Sequence, residues 1–284
     1  MEVTLTLIKE LREKTGAGMA DCKKALQETN GDMEKAIEYL RKKGAATSAK
    51  RADKSAKEGA VKIAISDDRK SAFMLELNCE TDFVSRGEGF QSFSDKLAKI
   101  GLQTKSKDIQ TLLDAKMVTG LTVKDEIDSL MSSVGEKVEI RRVKYYEMPE
   151  GFIAFYVHFG SKLGGMLAIE SKPTEQAIEL GKKIAIQLVA MNPIALNRDS
   201  IPAEIIEKEK EIYTTVAKNE GKDEKITERI VNNKLEKYYQ ENCLLDQQYI
   251  NEQGVSVNDI IKRYEKESSE KFVIKDMVRF ECGL

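Results

Sequence analysis

The chain has 284 residues, with 46 Lys and Arg against 48 Asp and Glu, a net charge of −2. That balance excludes a protein whose whole surface is a nucleic-acid or anionic-membrane footprint, which would need a concentrated basic excess. Charged residues make up 33% and apolar residues 41%, which predicts a helix-rich folded chain of about two domains.

Residues 1–43 read as three short helices. The first carries Leu7, Ile8 and Leu11 on one face and stops at Thr15-Gly16. The second carries Met19, Cys22, Ala25 and Leu26 and stops at Asn30-Gly31. The third is capped by Asp32 and repeats Met33, Ala36, Ile37 and Leu40 at helical spacing. Residues 44–57 hold no large apolar side chain and are expected to be a linker, partly helical or mobile, with Lys50, Arg51, Lys54 and Lys57 able to touch an acidic partner.

A hairpin follows. Val61, Ile63 and Ile65 alternate, Asp67-Asp68-Arg69-Lys70 turns, and Phe73, Leu75, Leu77 and Cys79 alternate on the return. One helix carries Phe90, Phe93, Leu97 and Ile100; another carries Val123, Ile127, Leu130, Met131 and Val134. This makes residues 58–140 a first α+β subdomain. A second is expected over 141–201 plus 243–284. Its strands are read around Val138 and Ile140, at Phe152–Val157 and at Gly165–Ile169, and a helix then runs to Met191 and stops at Asn192-Pro193. The repeated order of hairpin and helix points to a structural duplication. Residues 202–242 interrupt it with two highly charged helices. Ile205, Ile212 and Val216 form the stripe on one, and Ile226, Ile230, Leu235 and Tyr238 the stripe on the other. They are expected to make an antiparallel hairpin broken at Asn219–Lys222. The final strand, with Val278, Phe280 and Cys282 alternating, is expected to complete the second subdomain.

Motifs for chemistry are missing. Gly16-Ala17-Gly18 and Gly87-Glu88-Gly89 lack the third glycine of a dinucleotide loop, and no P-loop or nucleophile elbow occurs. The only histidine, His158, lies at a strand end and reads as structural. Cys22, Cys79, Cys243 and Cys282 form no CxxC pair, which fits a reducing compartment and makes a zinc site improbable. No run approaches about 18 apolar residues, so no membrane span is expected, and Met1-Glu2-Val3-Thr4 opens no secretory signal pattern. No catalytic residue, metal ligand or cofactor is expected, and a cytoplasmic binding or regulatory protein is the leading class.

Two segments carry a resemblance. Leu11-Arg12-Glu13-Lys14-Thr15-Gly16-Ala17-Gly18-Met19-Ala20-Asp21-Cys22-Lys23-Lys24-Ala25-Leu26 resembles the N-terminal signature of the elongation factor Ts family, and Glu76-Leu77-Asn78-Cys79-Glu80-Thr81-Asp82-Phe83-Val84 resembles its core signature. Gly135-Glu136-Lys137, Ala190-Met191-Asn192-Pro193 and Asp199–Glu204 extend the match in order along the chain. The resemblance implies an α+β protein with an N-terminal three-helix ubiquitin-associated-like module, a core of two related α+β subdomains and an inserted antiparallel helical hairpin. It further implies a guanine-nucleotide exchange factor that binds elongation factor Tu, GDP-bound and nucleotide-free, without binding nucleotide itself. Thr81, Asp82, Phe83 and Val84 would be the segment that disturbs the partner's magnesium and phosphate contacts, with Phe83 as an apolar wedge. Arg12, Met19 and Lys23 would add contacts from the N-terminal module. Met19 suits core packing equally well, and in isolation Phe83 reads as core and Asp82 as a helix N-cap. The family usually places a Pro where Lys222-Asp223-Glu224-Lys225 opens the second hairpin helix. The rival reading is a ribosome- or RNA-associated protein using Lys23-Lys24 and residues 50–57.

Overall fold

The computed structural model describes residues 3–220 and 223–284, so the Met1-Glu2 start and the Gly221-Lys222 part of the hairpin tip lie outside the described residues. The chain is α+β and divides into two compact units. One comprises residues 1–147, 157–164 and 280–284, and the other residues 148–156 and 165–279.

The first unit opens with α1 (Leu5–Thr15), α2 (Met19–Glu28) and α3 (Met33–Arg51). Thr4 and Asp32 cap the first and third through their side chains. Ile8, Leu11, Cys22, Ala25, Leu26, Ala36 and Leu40 close a small core. The segment read as a linker from residue 44 is helical through Arg51. Its alanines favour helix, and Gly44 lies against the backbone of Asp128, where an added Cβ would come within 3.1 Å of the Asp128 carbonyl.

The sheet of this unit follows, with β1 (Glu58–Ile65), β2 (Ser71–Cys79), α4 (Asp82–Arg86), α5 (Glu88–Gln103), α6 (Ile109–Asp114), α7 (Val123–Val134) and β3 (Val138–Glu147) in chain order. The strand order is β1-β2-β3, with β2 central and antiparallel to both neighbours. Val138 and Ile140 therefore belong to the first unit, where Ile140 pairs with Leu77, and do not open the second. Sequence order alone placed them after a helix but gave no pairing partner. Phe73, Leu75, Leu77 and Cys79 pack on Phe90, Phe93, Leu97, Val123, Ile127 and Met131. On β1 the strand residues in that core are Ala60 and Ala64, not Val61, Ile63 and Ile65. Lys62 shares their parity and reaches Asp95 of α5 at 2.8 Å, so a charged residue hides the helix-covered face from a hydrophobicity reading.

The second unit holds most of β4 (Phe152–Val157), β5 (Leu163–Glu170) and β6 (Val273–Glu281), with α8 (Glu175–Met191), α9 (Ala203–Asn219), α10 (Glu224–Asn242) and α11 (Val257–Ser268). The strand order is β4-β5-β6, so the last strand completes this sheet. Phe152, Leu167 and Ile169 pack on Leu180, Ile184, Leu188, Ile261 and Phe272.

Two glycines tie the halves to one plan. A Cβ on Gly59 would stand 2.1 Å from the Leu77 carbonyl oxygen, and one on Gly151 would stand 2.0 Å from that of Ile169. The same backbone approach recurs at the start of each hairpin, at the second residue of β1 and just ahead of β4, and it admits only glycine. Four residues before Leu77 stands Phe73, whose ring fills the space at Gly101 of α5. Four before Ile169 stands Gly165, filled by Leu188 of α8. At this position large and small have exchanged sides.

The helical hairpin keeps part of its predicted seam, with Leu235 buried and Tyr238 packed at the root, and departs from the rest. Ala217 is buried on α9 and Thr227, Val231 and Leu235 on α10, while Ile205, Ile212, Val216 and Ile226 face solvent. Lys234 lies 5.5 Å from the Tyr213 ring. The doublet Ile205-Ile206 concealed the phase, because a one-residue error rotates the stripe by about 100°; Ile206 is the one that packs, against Ile201 and Cys243.

Candidate partner-binding site

β2 delivers the chain to a short, tightly held turn. Thr81, not Asp82, is the N-cap of α4, and Asp82 is the first helical residue. A hydroxyl serves as well as a carboxylate at this position, and here the Thr81 backbone is extended and its Oγ1 is placed to accept from Val84 N–H. The Ser85 N–H bonds back to the Thr81 carbonyl at 3.2 Å.

Two loops hold this turn reciprocally. Glu136, just beyond α7, accepts from the Thr81 N–H at 3.0 Å and from the Thr81 hydroxyl at 2.6 Å. Glu80 accepts from the Lys137 N–H at 2.7 Å and from the Arg51 guanidinium at 2.7 Å. The Lys137 N–H, then Arg51, hold the Glu80 carboxyl below its ordinary range. Lys137 Nζ in turn donates to the Ala52 carbonyl at 2.9 Å, so the end of α3 is tied in as well. Burial, followed by the nearby Glu136 carboxylate, pushes the Cys79 thiol up to about 12. It stays protonated and donates to the Thr81 carbonyl at 3.2 Å.

The four residues singled out by sequence fall into different environments. Phe83 is 87% exposed, so its ring projects from α4 into solvent. Asp82 is half-buried and pairs with Arg86 at 3.2 Å. Val84 packs against the core of the first unit. It also lines a groove of about 440 Å³ with Thr15, Gly16, Phe90, Leu130 and Val134. That groove brings the α1–α2 loop, between Arg12 and Met19, beside the turn. Met19 is half-buried in the three-helix core, and Arg12 and Lys23 are exposed.

Sequence reasoning missed several parts. Glu136 was quoted only as a motif residue, although a carboxylate two positions past a helix end is placed to accept backbone N–H groups. Arg51 was grouped with a basic tether and is engaged with Glu80 instead.

Among the described residues no helix is long and apolar enough to cross a membrane. The family profile described as Elongation factor TS matches residues 80–284. Elongation factor Ts of Chlorobaculum parvum is 45% identical over 279 residues, covering 97% of each chain. That of Chlorobium phaeobacteroides is 42% identical over 285 residues, and that of Chloroherpeton thalassium 40%, each covering 99% of both chains. A core signature held on a clamped turn, a three-helix N-terminal module and near-complete coverage of these relatives agree: the chain belongs to the elongation factor Ts family and serves translation elongation in protein biosynthesis.

Proposed function

We propose that this protein is a guanine-nucleotide exchange factor that binds elongation factor Tu, in its GDP-bound and nucleotide-free forms, and speeds GDP release. The observation that carries the reading is the solvent-facing ring of Phe83 on a turn whose neighbours are all hydrogen-bonded. A large apolar side chain held outside the core of its own chain is available to a partner.

Burying such a ring contributes roughly 1.5–3 kcal/mol. Phe83 gains that contribution when two elements of the partner's nucleotide domain move apart to admit it. The movement disturbs the partner's magnesium and phosphate contacts, and Asp82 adds a carboxylate beside the ring. Linkage then fixes the scale. Each factor of ten lost in GDP affinity corresponds to about 1.4 kcal/mol, and GDP weakens factor binding by the same ratio. Arg12, Met19 and Lys23 supply a second contact that adds affinity. No covalent step and no nucleotide site of its own is required, and action in the cytoplasm follows from the partner. The RNA-associated reading loses part of its basis, since Arg51 is engaged with Glu80.

The test is release of a fluorescent GDP analogue from elongation factor Tu. The wild-type chain should accelerate it strongly. Phe83→Ala should lose most of the acceleration while keeping the circular dichroism and thermal midpoint of the wild type. An undiminished rate in Phe83→Ala would overturn the wedge.

A further inference from the structure

We infer that Glu136 is the positioning residue of this site: its carboxylate sets the orientation of α4, and thereby of the Phe83 ring, without touching the partner. This inference rests on the exchange reading above and deepens it.

The geometry has three parts. First, α4 has only five residues, too few to hold an axis by its own hydrogen bonds. Its direction comes from the packing of Val84 and the buried Ser85 and from the bonds at its N-terminal end. Second, both Glu136 carboxylate oxygens are used at one residue, Oε2 by the Thr81 N–H and Oε1 by the Thr81 hydroxyl. A hydroxyl that donates its proton to Glu136 keeps its lone pairs for the helix, and Val84 N–H points at that oxygen. The carboxylate thus fixes the rotamer of the cap, and the cap fixes the first turn containing Phe83. Third, the return bond from Lys137 N–H to Glu80 means that residues 80–81 and 136–137 hold each other. Two antiparallel bonds between short segments resist rotation, which a single bond does not.

The far side of the clamp is as firm as the near side. Gly135 ends α7 in the left-handed region at φ 73°, its N–H bonded to the Met131 carbonyl. Val138 follows at once in β3, paired with Cys79. Glu136 therefore stands between a helix end and a strand, both anchored in the same core that holds Val84. By contrast Asp82 pairs locally, with the well-exposed Arg86.

The experiment has two readouts on the full chain. In the free protein, amide hydrogen exchange of Thr81 and Val84 should quicken about tenfold in Glu136→Ala, with the β2 amides unchanged. In GDP release from elongation factor Tu, the rate at saturating factor should fall about tenfold, while the half-saturating concentration moves less than about twofold. Glu136→Gln, which keeps one acceptor, should recover part of both effects, and the shorter Glu136→Asp should not. Thr81→Val removes the hydroxyl at the other end of the bond and should reproduce the phenotype if Glu136→Ala does not fold. Unchanged Thr81 and Val84 amides, or a wild-type saturated rate in Glu136→Ala alongside a slow Phe83→Ala, would overturn the inference. A wild-type rate in Phe83→Ala would instead remove the exchange reading and this role with it.

Discussion

Phe73 and Gly101 show how closely single residues are fitted. Phe73 is fully buried, and a Cβ added at Gly101 would stand 2.2 Å from its ring. Gly101→Ala is expected to destabilise the first unit by about 1–3 kcal/mol, because the ring has no free space to enter. Gly101→Ala with Phe73→Leu should recover part of the loss, since the second unit already uses a leucine in the helix against a glycine in the strand. Urea unfolding of the three variants checks this; additive losses in the double variant would contradict the exchange of sizes. The wedge proposed for Phe83 belongs to the same scale. Of the four signature residues, Phe83 was legible only through its family resemblance, since an aromatic after a buried strand otherwise reads as core. Thr81 was legible as a residue but not as the cap, because Thr and Asp compete for that role on nearly equal terms.

Among the elements, the hairpin of α9 and α10 has its own anchor within the second unit. Its root is fastened by Arg198, which forks onto Glu236 at 2.7 and 2.9 Å, reaches Asp246, and stacks over Tyr239 at 4.7 Å. Replacing residues 203–242 by a short linker should leave GDP release within about twofold of wild type. It should also lower the thermal midpoint by a few degrees, because Ile201 and Cys243 lose Ile206, Tyr238 and Tyr239 as neighbours. Loss of exchange activity in that variant would make the hairpin a partner contact. The existence of both helices was legible from their charge-rich periodicity, and their phase only in part, through Leu235 and Tyr238. The short helices α4 and α6 were not legible either. Five and six residues hold too little periodicity to register. The pairing of β3 with β2 escaped because register is a long-range fact that no local pattern contains.

At the scale of the whole molecule, stability should follow pH through its paired carboxylates. Glu80 is held low by the Lys137 N–H and Arg51. Asp125 is held low against the opposing effect of its own burial by the Thr122 hydroxyl and N–H and by Arg41. A carboxyl whose folded pKa is depressed stabilises the fold above its unfolded value, near about 4. That contribution is lost as pH falls through the folded pKa. Glu126 has the opposite sign, since burial raises it, and it offsets part of the loss. The denaturation midpoint should therefore be level between about pH 6 and 8 and fall below about pH 4.5. A midpoint that rose on acidification would show that the raised group governs. Arg51→Gln should flatten the acid limb, because it removes one of the contacts that lower Glu80.

The unbroken run of α3 to Arg51 changes what the first 50 residues can be. Thr15 accepts from the Ser129 hydroxyl at 3.0 Å, Arg41 meets Asp125 at 3.0 Å, and Gly44 abuts Asp128. A flexible leash would let the module search for its own docking spot and would multiply affinity through local concentration. A stiff shaft held along α7 does the reverse: it fixes the angle of the module, so that the contact proposed for Arg12 and Lys23 would be made at one angle only, and lengthening the chain between module and body should weaken that contact instead of freeing it.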